Sequence, residues 1–138
     1  MGEQIARFKP GDNVSVKAKG GPLKAGRFVK VVGVQAGTGV YEAEHSAEAD
    51  VGRPFGVTQR DTNDPTNSAE NARSVELLTE CTRRGSISRV QVAAEVKAGE
   101  EVYISGEGKV KKWESGKVAV GRALTTATNG NYVEVDVY

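Results

Sequence analysis

A short motif occurs twice in this chain, 73 residues apart, as Leu23-Lys24-Ala25-Gly26-Arg27-Phe28-Val29 and as Val96-Lys97-Ala98-Gly99-Glu100-Glu101-Val102. Each copy runs from an apolar residue through Lys-Ala-Gly and two longer side chains to Val, the pattern of a glycine-marked turn feeding a β-strand. Each is followed by a second glycine in apolar surroundings, Pro54-Phe55-Gly56-Val57 after the first and Val118-Ala119-Val120-Gly121 after the second. The two glycines are 30 residues apart in the first half and 22 in the second, so the chain reads as one β unit used twice, with a longer loop in the first copy. Duplication predicts matching backbone at Gly26 and Gly99, in the positive-φ region open to glycine. Neither copy carries a reactive side chain.

Composition supports short strands and tight turns. Seventeen glycines, many Val and Thr, and a single Met favour an all-β chain over helices, and 138 residues suit one domain that buries a core without staples. The formal charge of +1, from 19 basic and 18 acidic residues, argues against a strong nucleic-acid binder. One Cys excludes an intrachain disulfide, and the start Met1-Gly2-Glu3-Gln4-Ile5 has no apolar signal region, so synthesis in a reducing cytoplasm is expected. Ala6 stands where a myristoylation motif needs Ser or Thr, and no stretch reaches membrane-spanning length.

Along the chain, residues 1 to 22 hold few apolar side chains (Ile5, Phe8, Val14 and Val16) and are broken at Pro10-Gly11 and Gly20-Gly21-Pro22. They read as an extended arm, leaving 23 to 138 as the folded domain. Phe28 to Val32 and Phe55 to Thr58 are predicted strands, separated by a polar, Gly-rich excursion to Asp50. Asp61 to Ser68 is a loop by composition, followed by one helical turn from Ala69 to Arg73. Val75, Leu77, Thr79 and Cys81 then share one strand face, ending at the turn Arg83-Arg84-Gly85-Ser86. Strands through Val90 and Val92 and through Val102 to Ile104, a turn at Gly106-Glu107-Gly108, a strand at Val110, and Val118 and Val120 on one face complete the series. Asn129-Gly130 is a two-residue hairpin signal, and Val133, Val135 and Val137 alternate with Glu134 and Asp136 to the C-terminus.

Chemistry-bearing residues are sparse. Cys81 and His45 are the sole members of their types, but the alternation makes Cys81 a small core residue and places His45 in a charged, solvated loop. A zinc site needs about four Cys or His ligands. Asp61, Asn63, Asp64 and Asn67 lack the glycine and distal Glu of a calcium loop. Gly21 to Phe28 copies only the glycine spacing of a P-loop, since Arg27 and Phe28 replace Lys and Ser/Thr and a strand follows. No cofactor, no metal and no enzymatic activity are expected. Lys109, Lys111, Lys112 and Trp113 form a basic cluster with an aromatic, the alternative function being a small β-barrel that binds single-stranded nucleic acid.

The runs Val96 to Tyr103, Gly108-Lys109-Val110, Val120-Gly121-Arg122-Ala123-Leu124 and Val133-Glu134-Val135 resemble the phage capsid decoration, or cement, proteins. The resemblance covers roughly residues 23 to 138 and is strongest after Val96. It implies a small β-barrel or β-tulip domain, a homotrimer on the outside of an icosahedral head, the major capsid protein as partner, and neither nucleic acid nor membrane. A virion structural protein that stabilises the mature head is the resulting expectation, with Ile5, Phe8, Pro10, Val14 and Val16 of the arm touching the capsid. Tyr132 and Tyr138 share the outward face of the last strand and are the expected oligomer contacts.

Overall fold

The Val- and Gly-rich halves each curl into a five-stranded ring. The computed structural model describes residues 13–50, 53–66 and 77–138. Strands β1 (Val14–Ala18), β2 (Phe28–Val34), β3 (Tyr41–His45), β4 (Gly56–Thr58) and β5 (Leu78–Thr82) form a closed barrel in the order β1-β3-β2-β4-β5. Strands β6 (Ile87–Gln91), β7 (Glu101–Gly106), β8 (Lys109–Lys112), β9 (Gly121–Ala123) and β10 (Tyr132–Val137) form a second sheet, β6-β10-β9-β7-β8. Just past β6, Val92 bridges Val110 of β8 in parallel, and the Ala93 N–H donates to the Val110 carbonyl at 2.9 Å. That single bridge links the edges of the second sheet at the place where the parallel β1·β3 pairing closes the first barrel.

Strand for strand, the halves share one topology. β1 corresponds to β6 and β2 to β7, each pair starting 73 residues apart, the spacing of the Lys-Ala-Gly motif. Matching loops carry matching hydrogen bonds. The Gly26 N–H donates to the Thr58 carbonyl at 2.8 Å and the Gly99 N–H to that of Ala123 at 2.7 Å. The Thr62 N–H reaches the Leu23 carbonyl at 2.8 Å, as the Ala127 N–H reaches Val96 at 2.9 Å. Gly26 and Gly99 have φ of 71° and 90°, the left-handed region in which a side chain is strained, so both motif glycines make the same turn. Gly56 and Gly121 open β4 and β9 against the neighbouring strand, where a Cβ would stand 2.2 Å from the Thr82 carbonyl oxygen and 2.7 Å from that of Asp136.

The first unit begins earlier than the motif suggests. Val14 and Val16 alternate inward from β1, at 5% and 0% exposure, paired with β5 (Val14↔Cys81, Val16↔Thr79) and with β3 (Val16↔Tyr41). The arm boundary at residue 22 and a capsid-contact role for Val14 and Val16 are therefore corrected. The segment is too poor in apolar residues to build a core, but two valines suffice to complete one supplied by other strands. Ile5, Phe8 and Pro10 lie outside the described residues, as do Val75 and the helical turn at 69 to 73. β3 was hidden in the polar excursion, because only Ala43 of its five side chains is buried. Val118 is 64% exposed and Val120 buried, so they do not share a face. Asn129-Gly130 forms a turn, with the Asn131 N–H on the Thr128 carbonyl at 3.1 Å, at the end of a longer β9–β10 connection.

Two apolar clusters fill the rings. The first gathers Val16, Ala18, Leu23, Val29, Ala43 and Cys81, with Tyr41 and Phe55 packed against them. The second gathers ten small residues of the second unit, from Val90 to Val137, together with Phe28 and Val57 of the first. Phe28, on β2 yet fully buried in the second cluster, couples the barrels; burying such a ring stabilises by about 1.5–3 kcal/mol. Backbone bonds lock the junction: Phe28 N–H to Gly108 C=O (2.9 Å), Gly108 N–H to Ser46 C=O (2.7 Å) and Ser46 N–H to Phe28 C=O (2.9 Å).

Candidate functional site

The sequence-flagged chemical groups are scattered and internally occupied. Cys81 is fully buried and burial pushes its thiol up to about 12, so no thiolate forms near neutral pH. His45 ends β3, which does not neighbour the β5 strand of Cys81. It is half-buried rather than solvated, and its Nε2 accepts the Lys24 N–H at 3.0 Å. Burial first, and then the Arg27 charge, lower its pKa from 6.5.

The glycine-spaced loop at 21 to 28 turns its amides inward. Lys24, Ala25 and Gly26 donate to His45, to Asp61 Oδ1 at 2.8 Å and to the Thr58 carbonyl, so these N–H groups are not aimed at a phosphate. Asp64 accepts from the Thr66 N–H (2.9 Å) and hydroxyl (2.7 Å), bonds that hold its carboxyl below the usual range in a local turn. No group of three metal-ligating side chains occurs among the described residues.

The basic cluster is partly tied down. Lys112 pairs with Glu100 at 3.2 Å, and Trp113, 41% exposed, donates its Nε1 to the Lys117 carbonyl at 2.8 Å. Tyr132 and Tyr138 lie at opposite ends of β10, and the structure does not bring them together. The Tyr132 ring packs beside Gly26, with the Arg89 guanidinium 5.2 Å from its centroid. Tyr138 donates its hydroxyl to Glu101 Oε2 at 2.9 Å.

Concavity is concentrated where the barrels meet. A cleft of about 710 Å³ runs between the β2 and β4 side of the first barrel and the β7, β9 and β10 side of the second. Arg53, Arg83 and Arg84 stand on its rim, Phe55, Tyr103 and Tyr138 in its walls, and Val31 and Val118 add exposed apolar surface. Residues at 53, 83 and 118 share no motif spacing, so sequence reasoning had no signal for this site.

Fold and surface together define an all-β protein of two fused, like-connected five-stranded units with a groove between them. No protein-family model matches the chain, and no curated protein matches it. Among solved structures it is similar to head fiber gp8.5 N base in bacteriophage phi29, with a TM-score of 0.67 at 18% identity, covering 92% of this chain and 93% of that one. At that identity the shared property is the fold, and it extends over both barrels.

Proposed function

We propose that this chain is a structural protein of a phage virion that decorates the outside of the icosahedral capsid and stabilises the mature head. The observation that carries this reading is the end-to-end likeness of both barrels to the base of a phage head fiber. A decoration protein needs a rigid body and a way to grip neighbouring capsid subunits, and the hydrogen-bonded junction supplies the rigidity. The partner is the major capsid protein, the chain acts without catalysis, and it is made in the host cytoplasm before joining the virion. A homotrimer raises occupancy over a single weak contact, because later contacts form at high effective concentration. Selective binding to the mature lattice then stabilises that lattice by mass action. Single-stranded nucleic acid is the weaker reading, since Lys112 and Trp113 already have partners in the fold.

The test is addition of the purified chain to expanded, genome-free heads that lack it. Saturable occupancy and a raised thermal midpoint of the heads are expected; heads that neither bind nor gain stability refute the proposal. Of the expected arm contacts, Ile5, Phe8 and Pro10 remain proposals. Removing residues 1 to 12 spares β1, and Phe8→Ala or this truncation lowers occupancy if the segment grips the capsid. Light scattering reads the trimer, and Tyr132→Ala with Tyr138→Ala weakens it if these rings form its interface.

A further inference from the structure

The cleft between the barrels holds positive charge that no acidic side chain among the described residues neutralises. Its two lysines are tied to acids, Lys30 to Asp50 at 2.9 Å and Lys117 to Glu48 at 2.5 Å. Its three arginines, Arg53, Arg83 and Arg84, form no ion pair among the described residues. Arg83 is held from one side, its guanidinium 4.0 Å from the Phe55 ring centroid.

Two further features point to an occupant. The Ser46 hydroxyl, on a residue 1% exposed beside the cleft, has no hydrogen-bond partner among the described residues. Beside it, β4 registers with β2 only at Phe28 and Val29, so the β4-side edge of β2 from Val31 to Val34 carries no strand among the described residues. Val31 and Val118, 37% and 64% exposed, flank that edge and the opposite wall. An open edge takes an extended chain through main-chain hydrogen bonds, with side chains alternating into pockets.

We propose that this cleft docks an extended, acidic segment of a partner protein, laid along the open edge of β2 with apolar side chains against Val31 and Val118 and carboxylates on Arg53, Arg83 and Arg84. The mixed lining favours a peptide over a polyanion, because a nucleic acid or sulfated glycan would meet Glu48 and Asp50 and leave the valines uncovered. The proposal goes beyond the virion role and does not depend on it.

The experiment is selection of octapeptides from a random display library on the full chain, followed by fluorescence anisotropy with the synthesised winners. Winners are expected to intersperse Asp or Glu with apolar residues. They should bind about tenfold or more weakly to Arg83→Glu/Arg84→Glu, and more weakly to Val118→Glu, which leaves the arginines intact. Arg60→Glu, an exposed site outside the cleft, should bind like wild type. Unchanged thermal midpoints verify that the variants are folded. Winners without acidic bias, equal binding by the double variant, or capture of polyphosphate or heparin with no peptide binding would each overturn the proposal.

Discussion

The two barrels have the same connectivity and different ways of closing. In the first, β1 and β3 pair in parallel over three residue pairs; in the second, the equivalent contact is the single Val92↔Val110 bridge. The first has long connections, from Val34 to Tyr41 and from Thr58 to Leu78, where the second has a two-residue turn between β7 and β8 and an eight-residue link between β9 and β10. The core clusters differ in the opposite sense. The second is a tight set of Val and Ala that takes Phe28 and Val57 from its neighbour, while the first is smaller and leans on the half-exposed Tyr41 and Phe55. The hydrogen-bonded frame is common to both, and the packing differs: the first cluster is built from its own unit alone, whereas the second is completed by Phe28 and Val57 of the first.

Removing residues 1 to 22 is the harshest test of the equivalence between β1 and β6. It deletes a strand with two buried valines and exposes the edges of β3 and β5, so loss of a cooperative thermal transition and aggregation are expected. If this truncation melts like the full chain, β1 is dispensable and the first unit does not need the strand that the second has.

Phe28→Ala comes next, with an expected loss of about 3–5 kcal/mol in urea unfolding. Because the ring sits on one barrel and in the other's core, the native chain should unfold in a single transition. Two resolved transitions in the native chain would mean that the barrels are independent and merely adjacent, whereas two in the variant alone would assign their coupling to Phe28.

Smaller still is the contrast between the motif glycines. Gly99→Ala meets no atom within 4 Å and carries only the left-handed backbone cost, about 1 kcal/mol. A Cβ at Gly26 would stand 2.6 Å from the Tyr132 ring and 3.1 Å from the Arg89 carbonyl, so Gly26→Ala should lose more. Equal losses would show that the junction yields freely at Tyr132.

The mildest effect is acid sensitivity through His45, which has no counterpart in the second unit. Burial and Arg27 hold its pKa below 6.5, so just under that pH the unfolded chain binds more protons than the folded one. Its contribution is present above pH 6.5 and fades as pH falls through the window below, whereas the lowered carboxylates Glu48, Asp50 and Glu100 act only at more acidic pH. His45→Gln should flatten the stability profile between roughly pH 5 and 7, within the ordinary histidine range. An unaltered slope would assign the pH response to other groups.

What was legible in the sequence was whatever local chemistry dictates. Val133, Val135 and Val137 are buried between exposed Glu134 and Asp136, as the period of two requires. Gly85 makes the turn anticipated at 83 to 86, with φ of 84°, and Leu77, Thr79 and Cys81 do share a buried face. That β1 belongs to this domain, and that β3 is a strand at all, were not legible, since β1 offers only Val14, Val16 and Ala18 and β3 only Ala43 inward, and both are held by the neighbours that pair with them.

By itself, then, the sequence determined that this is an all-β chain made of a repeated unit, because Lys-Ala-Gly turns, glycine close approaches and alternating valines act over a few residues. Tertiary structure alone decided where the first unit begins, that it closes into a barrel, that Phe28 crosses into the other core, and that Arg53, Arg83 and Arg84 meet in one cleft. Those outcomes depend on contacts between residues 80 or more positions apart, such as Arg27 with Glu107, whose free energy is released only when the barrels pack.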